Sequence, residues 1–296
     1  MKKYFAVLEA GGTKFNCAVM DQDKNVVAQR RIPTSYPDET MAQVLNFFKE
    51  EIPAKQKYAG LGIASFGPID MDRTSPTFGY ITKTPKPFWS NTSIAVPLAK
   101  QLDCPVAFDT DVNGAALAES LWGAGKGHDV VIYVTVGTGI GGGVIINERP
   151  LHGLIHPEIG HMILPGYPSI KGTCPFHENC AEGLASGAAM SKIWQKSAET
   201  LDENHQAWEV EATILSQLCH NLLLSFSPKK IIFGGGVMAN HSLLENVIVK
   251  AEQSINQYLT FPNNLSLKDV ISPTGLGQNS GLLGAFALAQ TQAINI

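Results

Sequence analysis

Apolar and polar positions in this chain fall into short runs that glycine interrupts. Residues 4–20, YFAVLEAGGTKFNCAVM, hold an apolar run, the turn AGGTK, and then the alternating positions Phe15, Cys17 and Val19, a pattern that predicts two strands joined by a Gly-rich turn. Residues 130–146, VVIYVTVGTGIGGGVII, have the same layout, so the unit of strand, Gly-Thr-Gly turn and strand points to an internal duplication. A third Gly-rich turn, Gly234-Gly-Gly236, follows the strand KKIIFGGG and precedes the helical pattern HSLLENVIVKAEQSI. Between the hairpins the periodicity predicts a helix at 40–50, a strand at 59–64, a Pro-rich loop across 67–90 and a helix beginning near Asn113. Helical patterns return at 187–202 and 207–227, and GLGQNSGLLGAFALAQ closes the chain with a turn that opens a last helix. Strands alternating with helices predict an α/β fold. After residue 148 one long stretch lacks any period, and such a segment inside a compact domain is usually functional or clamped.

Composition narrows the function. A chain of 296 residues with 44% hydrophobic and 16% charged residues reads as a soluble globular protein of one large or two medium domains. Its net charge of -4 lacks the basic surplus of a nucleic-acid binder. No apolar run approaches the roughly 20 residues that span a bilayer. The start MKKYFAVLEAGGTK passes from two lysines into a strand, so neither a signal peptide nor an anchor is expected, and the expected location is cytoplasmic. Five cysteines are too few and too scattered for a disulfide framework, which points to a reducing compartment. Cys17, Cys104 and Cys219 read as small core residues, leaving Cys174 and Cys180 to explain.

The chemistry gathers at four places. Turns rich in Gly and Thr let backbone N–H groups approach a phosphate, although each alone is more often a tight hairpin than a ligand site; neither hairpin turn matches the Walker pattern, and GTGIGG opens no helix. Asp109-Thr-Asp-Val-Asn113 ends a strand and begins a helix, so either Asp111 or Asn113 merely caps that helix or Asp111 is a general base for a hydroxyl attacking phosphorus. Cys174, His177 and Cys180 have the C-x-x-H-x-x-C spacing of a metal loop, for which His152, His156 and His161 are candidate fourth ligands. A structural zinc there would order the irregular 149–182 segment. Glu158 and Glu182 flank the proposed ligands, either as acceptors for a hydroxyl-rich ligand such as a sugar or as solvated surface acids.

Taken in order, EAGGTK, DTDVNGAALAE, TVGTGIGGG, HPEIGH, CPFHENCAEG and FGGGV resemble the ROK family of sugar kinases and related repressors over nearly the whole chain, closest to its fructokinase branch. No one motif is specific; the ordered set is. The resemblance implies the two-domain actin-like, hexokinase-like ATPase fold with ribonuclease H-like domains and a zinc-clamped loop. A small N-terminal α/β domain at 1–118, with a helix at about 280–296 packing back on it, and a larger domain at 119–279 carrying the zinc are then expected. ATP phosphates would lie on Gly11, Gly12, Thr13 and Lys14 and on Gly137, Thr138 and Gly139. The adenosine would lie on Gly234, Gly235, Gly236, Val237 and Met238, with Gly187 and Ala188 on its other face.

By the same resemblance Asp111 is the base that deprotonates a hexose 6-hydroxyl for attack on MgATP. Asn113, Glu158, His161 and Glu182 contact the sugar, and His161 joins Cys174, His177 and Cys180 on structural Zn²⁺. Fructose is the implied substrate, a broader hexokinase or mannokinase and a non-catalytic sugar sensor are the alternatives, and a homodimer is implied. A repressor of this family carries an added DNA-binding module before its first strand, whereas here that strand begins at about residue 4. The chain departs from the family pattern at Glu9, where Asp is usual, at Thr110 in place of Asn, and at Val136 in place of a frequent Asp. Gly123-Ala-Gly125 and Gly275-Leu-Gly277 are candidate hinges by composition.

Overall fold

The structure, a computed structural model, describes residues 2–291 and 293. Two compact units divide the chain: the first takes the described residues up to Ala118, His152–His156 and those from Gln278 onward, and the second takes Glu119–Leu151 and Pro157–Gly277.

The first unit contains β1 (Tyr4–Ala10), β2 (Lys14–Asp21), β3 (Val26–Pro33), α1 (Pro37–Glu51), β4 (Tyr58–Ser65), β5 (Tyr80–Ile81), β6 (Thr92–Ser93), α2 (Ala95–Leu102) and β7 (Val106–Thr110). Helix α3 (Asp111–Trp122) runs across the division at Ala118. The second unit holds β8 (Val130–Val136), β9 (Ile140–Ile146), β10 (Arg149–Pro150), α4 (Ala181–Ala185), α5 (Gly187–Trp194), α6 (Gln206–Phe226), β11 (Lys230–Gly234), α7 (Leu243–Ile255), α8 (Leu267–Val270) and β12 (Ile271–Pro273). The chain returns to the first unit in α9 (Ser280–Thr291), and the remainder of the helix expected to 296 falls largely outside the described residues.

Each unit is built on a five-stranded sheet, ordered β3-β2-β1-β4-β7 in the first and β10-β9-β8-β11-β12 in the second. In both, the central strand pairs antiparallel with the next strand in sequence and parallel with a later one. The repeated hairpin in the sequence is therefore the corresponding corner of two sheets of one topology. Parallel strands covered on both faces read as continuous apolar runs, as in β4 and β8. Phe47 and Phe48 of α1 join Leu8, Phe15 and Ile63 in the first core, and α6 contributes Ile214, Leu218 and Leu222 beside Ile132, Val134 and Phe233 in the second. Helix α9 lies on β1 and β4, so close that a Cβ at Gly62 would overlap the Ala285 carbonyl.

Helix boundaries differ from the sequence expectation in three places, the first being α1, which begins at Pro37 rather than at 40. The helix read at 187–202 stops at Trp194, because Gln195 turns left-handed with φ 55° and its side-chain amide donates to the Lys192 carbonyl. A separate single turn follows at Ala198–Thr200. The helix expected near Asn113 begins two residues earlier, at Asp111.

Glu119 is fully buried on α3 and accepts N–H groups from Ala124 at 2.9 Å and from Gly275 and Leu276 at 3.0 Å each, together with the Thr274 hydroxyl. Both glycine turns offered as hinges are thus pinned to one carboxylate within the second unit. Four converging donors compensate the desolvation that would otherwise make this buried group costly.

Candidate functional site

The loop that lacked periodicity is organised around four side chains. His161, Cys174, His177 and Cys180 bring their ligand atoms within 4.8 Å of one another. His161 Nδ1 lies 3.6 Å from Cys180 Sγ and 3.9 Å from Cys174 Sγ, and His177 Nδ1 lies 3.9 Å from Cys174 Sγ. A tetrahedral zinc with ordinary Zn–S and Zn–N bonds separates its sulfur and nitrogen ligands by roughly 3.6 Å, so the donor set and its spacing fit that ion. Burial pushes the Cys180 thiol up to about 11, with the nearby Cys174 adding to it and the Gly183 N–H opposing it. A cation at this position reverses that preference, since thiolates are the form that ligates.

Of the three candidate fourth ligands, only His161 joins the thiols. His152 sits in the first unit, its Nε2 2.8 Å from Asp109 Oδ2, and His156 is buried near Gly67. The hydrogen bond to Asp109 holds the His152 imidazole above its usual pKa, against desolvation and the nearby Arg73. Burial instead pushes the Cys17 and Cys219 thiols up to about 12, as suits inert core residues. Cys104, half-buried, is likewise raised to about 12.

Cys180 also caps α4, its Sγ accepting the Gly183 N–H at 3.3 Å. Two residues on, Glu182 turns its Oε1 toward His161 Nε2 at 3.9 Å, while its Oε2 accepts the Ile140 N–H at 3.0 Å. Glu158 is exposed and directly precedes the single turn Ile159–His161. The loop of this cluster therefore reaches the second hairpin through Glu182, and also through Ile159 and Gly160, which pack against Gly142 and Ile140 of β9.

That hairpin turn, Gly137–Gly139, closes on itself through Gly137 N to Gly139 O at 2.9 Å. Its carbonyls are taken by the first amides of α5: Gly187 N donates to Gly137 O at 2.7 Å and Ala188 N to Thr138 O at 3.2 Å. Ser186 ends α4 and caps α5 through its side chain. Gly235, at φ 96°, begins the turn Gly236–Ala239 beyond β11, where Val237 is buried and Met238 half-buried.

In the first unit the turn after β1 exposes Gly12, Thr13 and Lys14, and the Thr34 hydroxyl fixes it by donating to Gly11 O at 2.7 Å. Glu9 faces Asn16 across the ladder and accepts its amide at 2.7 Å, with its other oxygen against Gly281 at the start of α9. At the end of β7 the sequence suggested Asp111 or Asn113 as a cap, but the capping hydroxyl is that of Thr110, which accepts the Asn113 N–H at 3.1 Å. Asp109 is buried, and its Oδ1 accepts the Thr110 N–H and the Asn113 side-chain amide at 2.7 Å each. Asn113 is itself buried and directed at Asp109. Asp111 is half-buried at the first position of α3, with Oδ1 accepting its neighbour's N–H from Val112 at 2.9 Å.

Sequence reasoning missed the Asp109–His152 pair, the Glu119 clasp and the bond from Ile140 to Glu182. The Thr110 cap had a local signal in its spacing to Asn113; the other three join residues too far apart in sequence to leave one. No helix among the described residues is long and apolar enough to cross a membrane.

Comparison with known proteins agrees over the full length. The chain is 46% identical to a fructokinase from Zymomonas mobilis over 294 residues, covering 97% of each, and 42% identical to a putative fructokinase from Bacillus subtilis over 95% of this chain and 94% of that one. The crystal structure of a ROK hexokinase from Thermus thermophilus superposes with a TM-score of 0.79 at 26% identity, covering 98% of both chains. The ROK family model matches residues 5–292, and the chain belongs to the ROK family, in its fructokinase branch.

Proposed function

We propose that the protein is an ATP-dependent hexose kinase whose preferred substrate is fructose, phosphorylated at its 6-hydroxyl. The observation that carries this reading is the 46% identity to a fructokinase across 97% of both chains. Thr110 and Asp109 brace the strand–helix junction at which Asp111 stands.

In this reading Asp111 accepts the proton of the 6-hydroxyl as that oxygen bonds to the γ-phosphorus of MgATP. The bond to the bridging oxygen breaks, and ADP leaves with the electron pair. Gly11–Lys14 and Gly137–Gly139, whose Gly11 and Gly137 N–H groups close the two turns, offer their remaining backbone amides and the Lys14 ammonium to the phosphates. Gly234–Met238, with Gly187 and Ala188, receive the adenosine. Glu158 and Glu182 accept hydrogen bonds from sugar hydroxyls, His161, whose Nδ1 faces the thiols, donates one from its Nε2–H, and Asn113 steadies Asp109. His161, Cys174, His177 and Cys180 would hold a structural zinc, which contributes order to the loop and no chemistry to the transfer.

The test is ADP release with MgATP and fructose, mannose or glucose, for the wild type and for Asp111→Asn. Fructose should give the highest kcat/KM, and Asp111→Asn should lower kcat by about 10²–10⁴-fold with fructose affinity retained. Comparable turnover of all three sugars would make the protein a general hexokinase. Unchanged turnover in Asp111→Asn would remove that residue from the mechanism.

A further inference from the structure

Within nine residues, the segment Cys180–Ala188 touches the metal cluster, a proposed sugar contact and both sides of the second hairpin turn. Cys180 supplies a sulfur to the cluster and caps α4. Glu182 takes the Ile140 N–H on one side of the turn. Ser186 links α4 to α5, and Gly187 and Ala188 donate to the turn's carbonyls on the other side. The turn is held from both ends by the chain that follows the metal ligand.

Glu182 is the one side chain in this arrangement that can respond to a ligand. A carboxylate offers about four lone-pair sites. Among the bonds described, Ile140 uses one of them on Oε2, while Oε1 has only the longer approach of His161 Nε2 at 3.9 Å. Glu182 Oε2 lies against Gly139, where an added Cβ would push the carboxylate aside. Gly137, two residues earlier in the same turn, has nothing within 4 Å of the corresponding position.

From this geometry we infer that Glu182 is a positioning residue that couples sugar binding to the placement of the second phosphate turn. The inference rests on the reading of Glu182 as a sugar ligand. A hydroxyl donating to Oε1 orders the carboxylate, and the ordered carboxylate fixes the Ile140 amide and with it the turn. Sugar and nucleotide then bind with positive cooperativity, since one ligand has already ordered what the other needs. Coupling of this kind is reciprocal: a change confined to the phosphate turn must weaken sugar binding if it displaces Glu182.

The two glycines supply the experiment and its control. Fructose affinity is measured by titration calorimetry without nucleotide for the zinc-loaded wild type, Gly139→Ala and Gly137→Ala. Gly139→Ala should weaken fructose binding by about 10-fold or more, the loss expected when a charged hydrogen-bonding group is displaced, while Gly137→Ala stays within about twofold of wild type. Equal fructose affinity in the two variants overturns the coupling and leaves the kinase reading intact. A wild type that binds none of the hexoses overturns the sugar reading of Glu182 itself. Glu182→Asp provides an independent arm if Gly139→Ala does not fold: its carboxylate is one methylene too short for the Ile140 amide, so ADP affinity measured without sugar should fall about 10-fold. Unchanged ADP affinity in that variant contradicts the inference.

Discussion

The two Gly-rich hairpins have the same place in two sheets of the same topology, yet they are held in different ways. The first, between β1 and β2, is braced by its neighbours in the chain. Gly11 N bonds Lys14 O at 3.0 Å, and Thr34, just past β3, supplies both its N–H to Thr13 O and its hydroxyl to Gly11 O. The second, between β8 and β9, is braced from a distance by Glu182, Gly187 and Ala188, more than 40 residues later. Directly before those later residues Cys180, a member of the His/Cys cluster, caps the helix that carries Glu182. The backbone device is the same and its support differs: the first hairpin carries a cation, Lys14, and the second carries none in its turn but is tied to the loop of the four-residue His/Cys cluster.

The largest expected effect breaks the second support. Cys180→Ala removes a sulfur from the cluster and the cap of α4 together, and should lower stability by roughly 5 kcal/mol, the range reserved for loss of a metal site or an equivalent defect. Denaturant unfolding with zinc analysis checks it, and retention of both zinc and stability would show that the loop does not depend on the cluster. Lys14→Ala acts on the first hairpin only. It should raise the KM for ATP by about 10-fold and leave zinc content and fructose affinity alone, the expected cost of one charge-assisted phosphate contact.

The smallest effect concerns Glu211 on α6, which is fully buried in the second unit and whose Oε1 has no hydrogen-bond partner among the described residues. Burial raises its pKa well above the ordinary value, so the folded state keeps a proton that the unfolded state releases near pH 4.5. Stability contributed by that proton is complete below the unfolded pKa and declines as pH rises toward the folded one. Glu211→Gln should remove the decline, making the variant more stable than wild type at pH 8 and no more stable at pH 4. Thermal unfolding at both pH values separates this from a simple packing change, which would shift both alike.

Local chemistry was legible in the sequence and long-range support was not. Both hairpins could be read because alternating apolar positions flank a glycine turn over a few residues. The metal loop could be read because three of its ligands lie within seven positions. Its fourth ligand could not be chosen from spacing, since His152, His156 and His161 are equivalent upstream candidates; the fold sends His152 to Asp109 instead. Nor could the end of α5 be read, because the residues after Trp194 keep a helical composition and only the left-handed Gln195 stops them. The role of Glu182 needed the tertiary structure, which brings it 42 positions back to Ile140.

The central contrast is tested most directly by amide hydrogen exchange, read by mass spectrometry on the zinc-loaded protein and on the same protein after chelation. Metal removal should cost the peptides containing Ile140, Gly187 and Ala188 about tenfold or more in protection, while those containing Gly11 and Thr34 keep theirs. Equal loss at both hairpins, or unchanged protection at the second, would contradict the account.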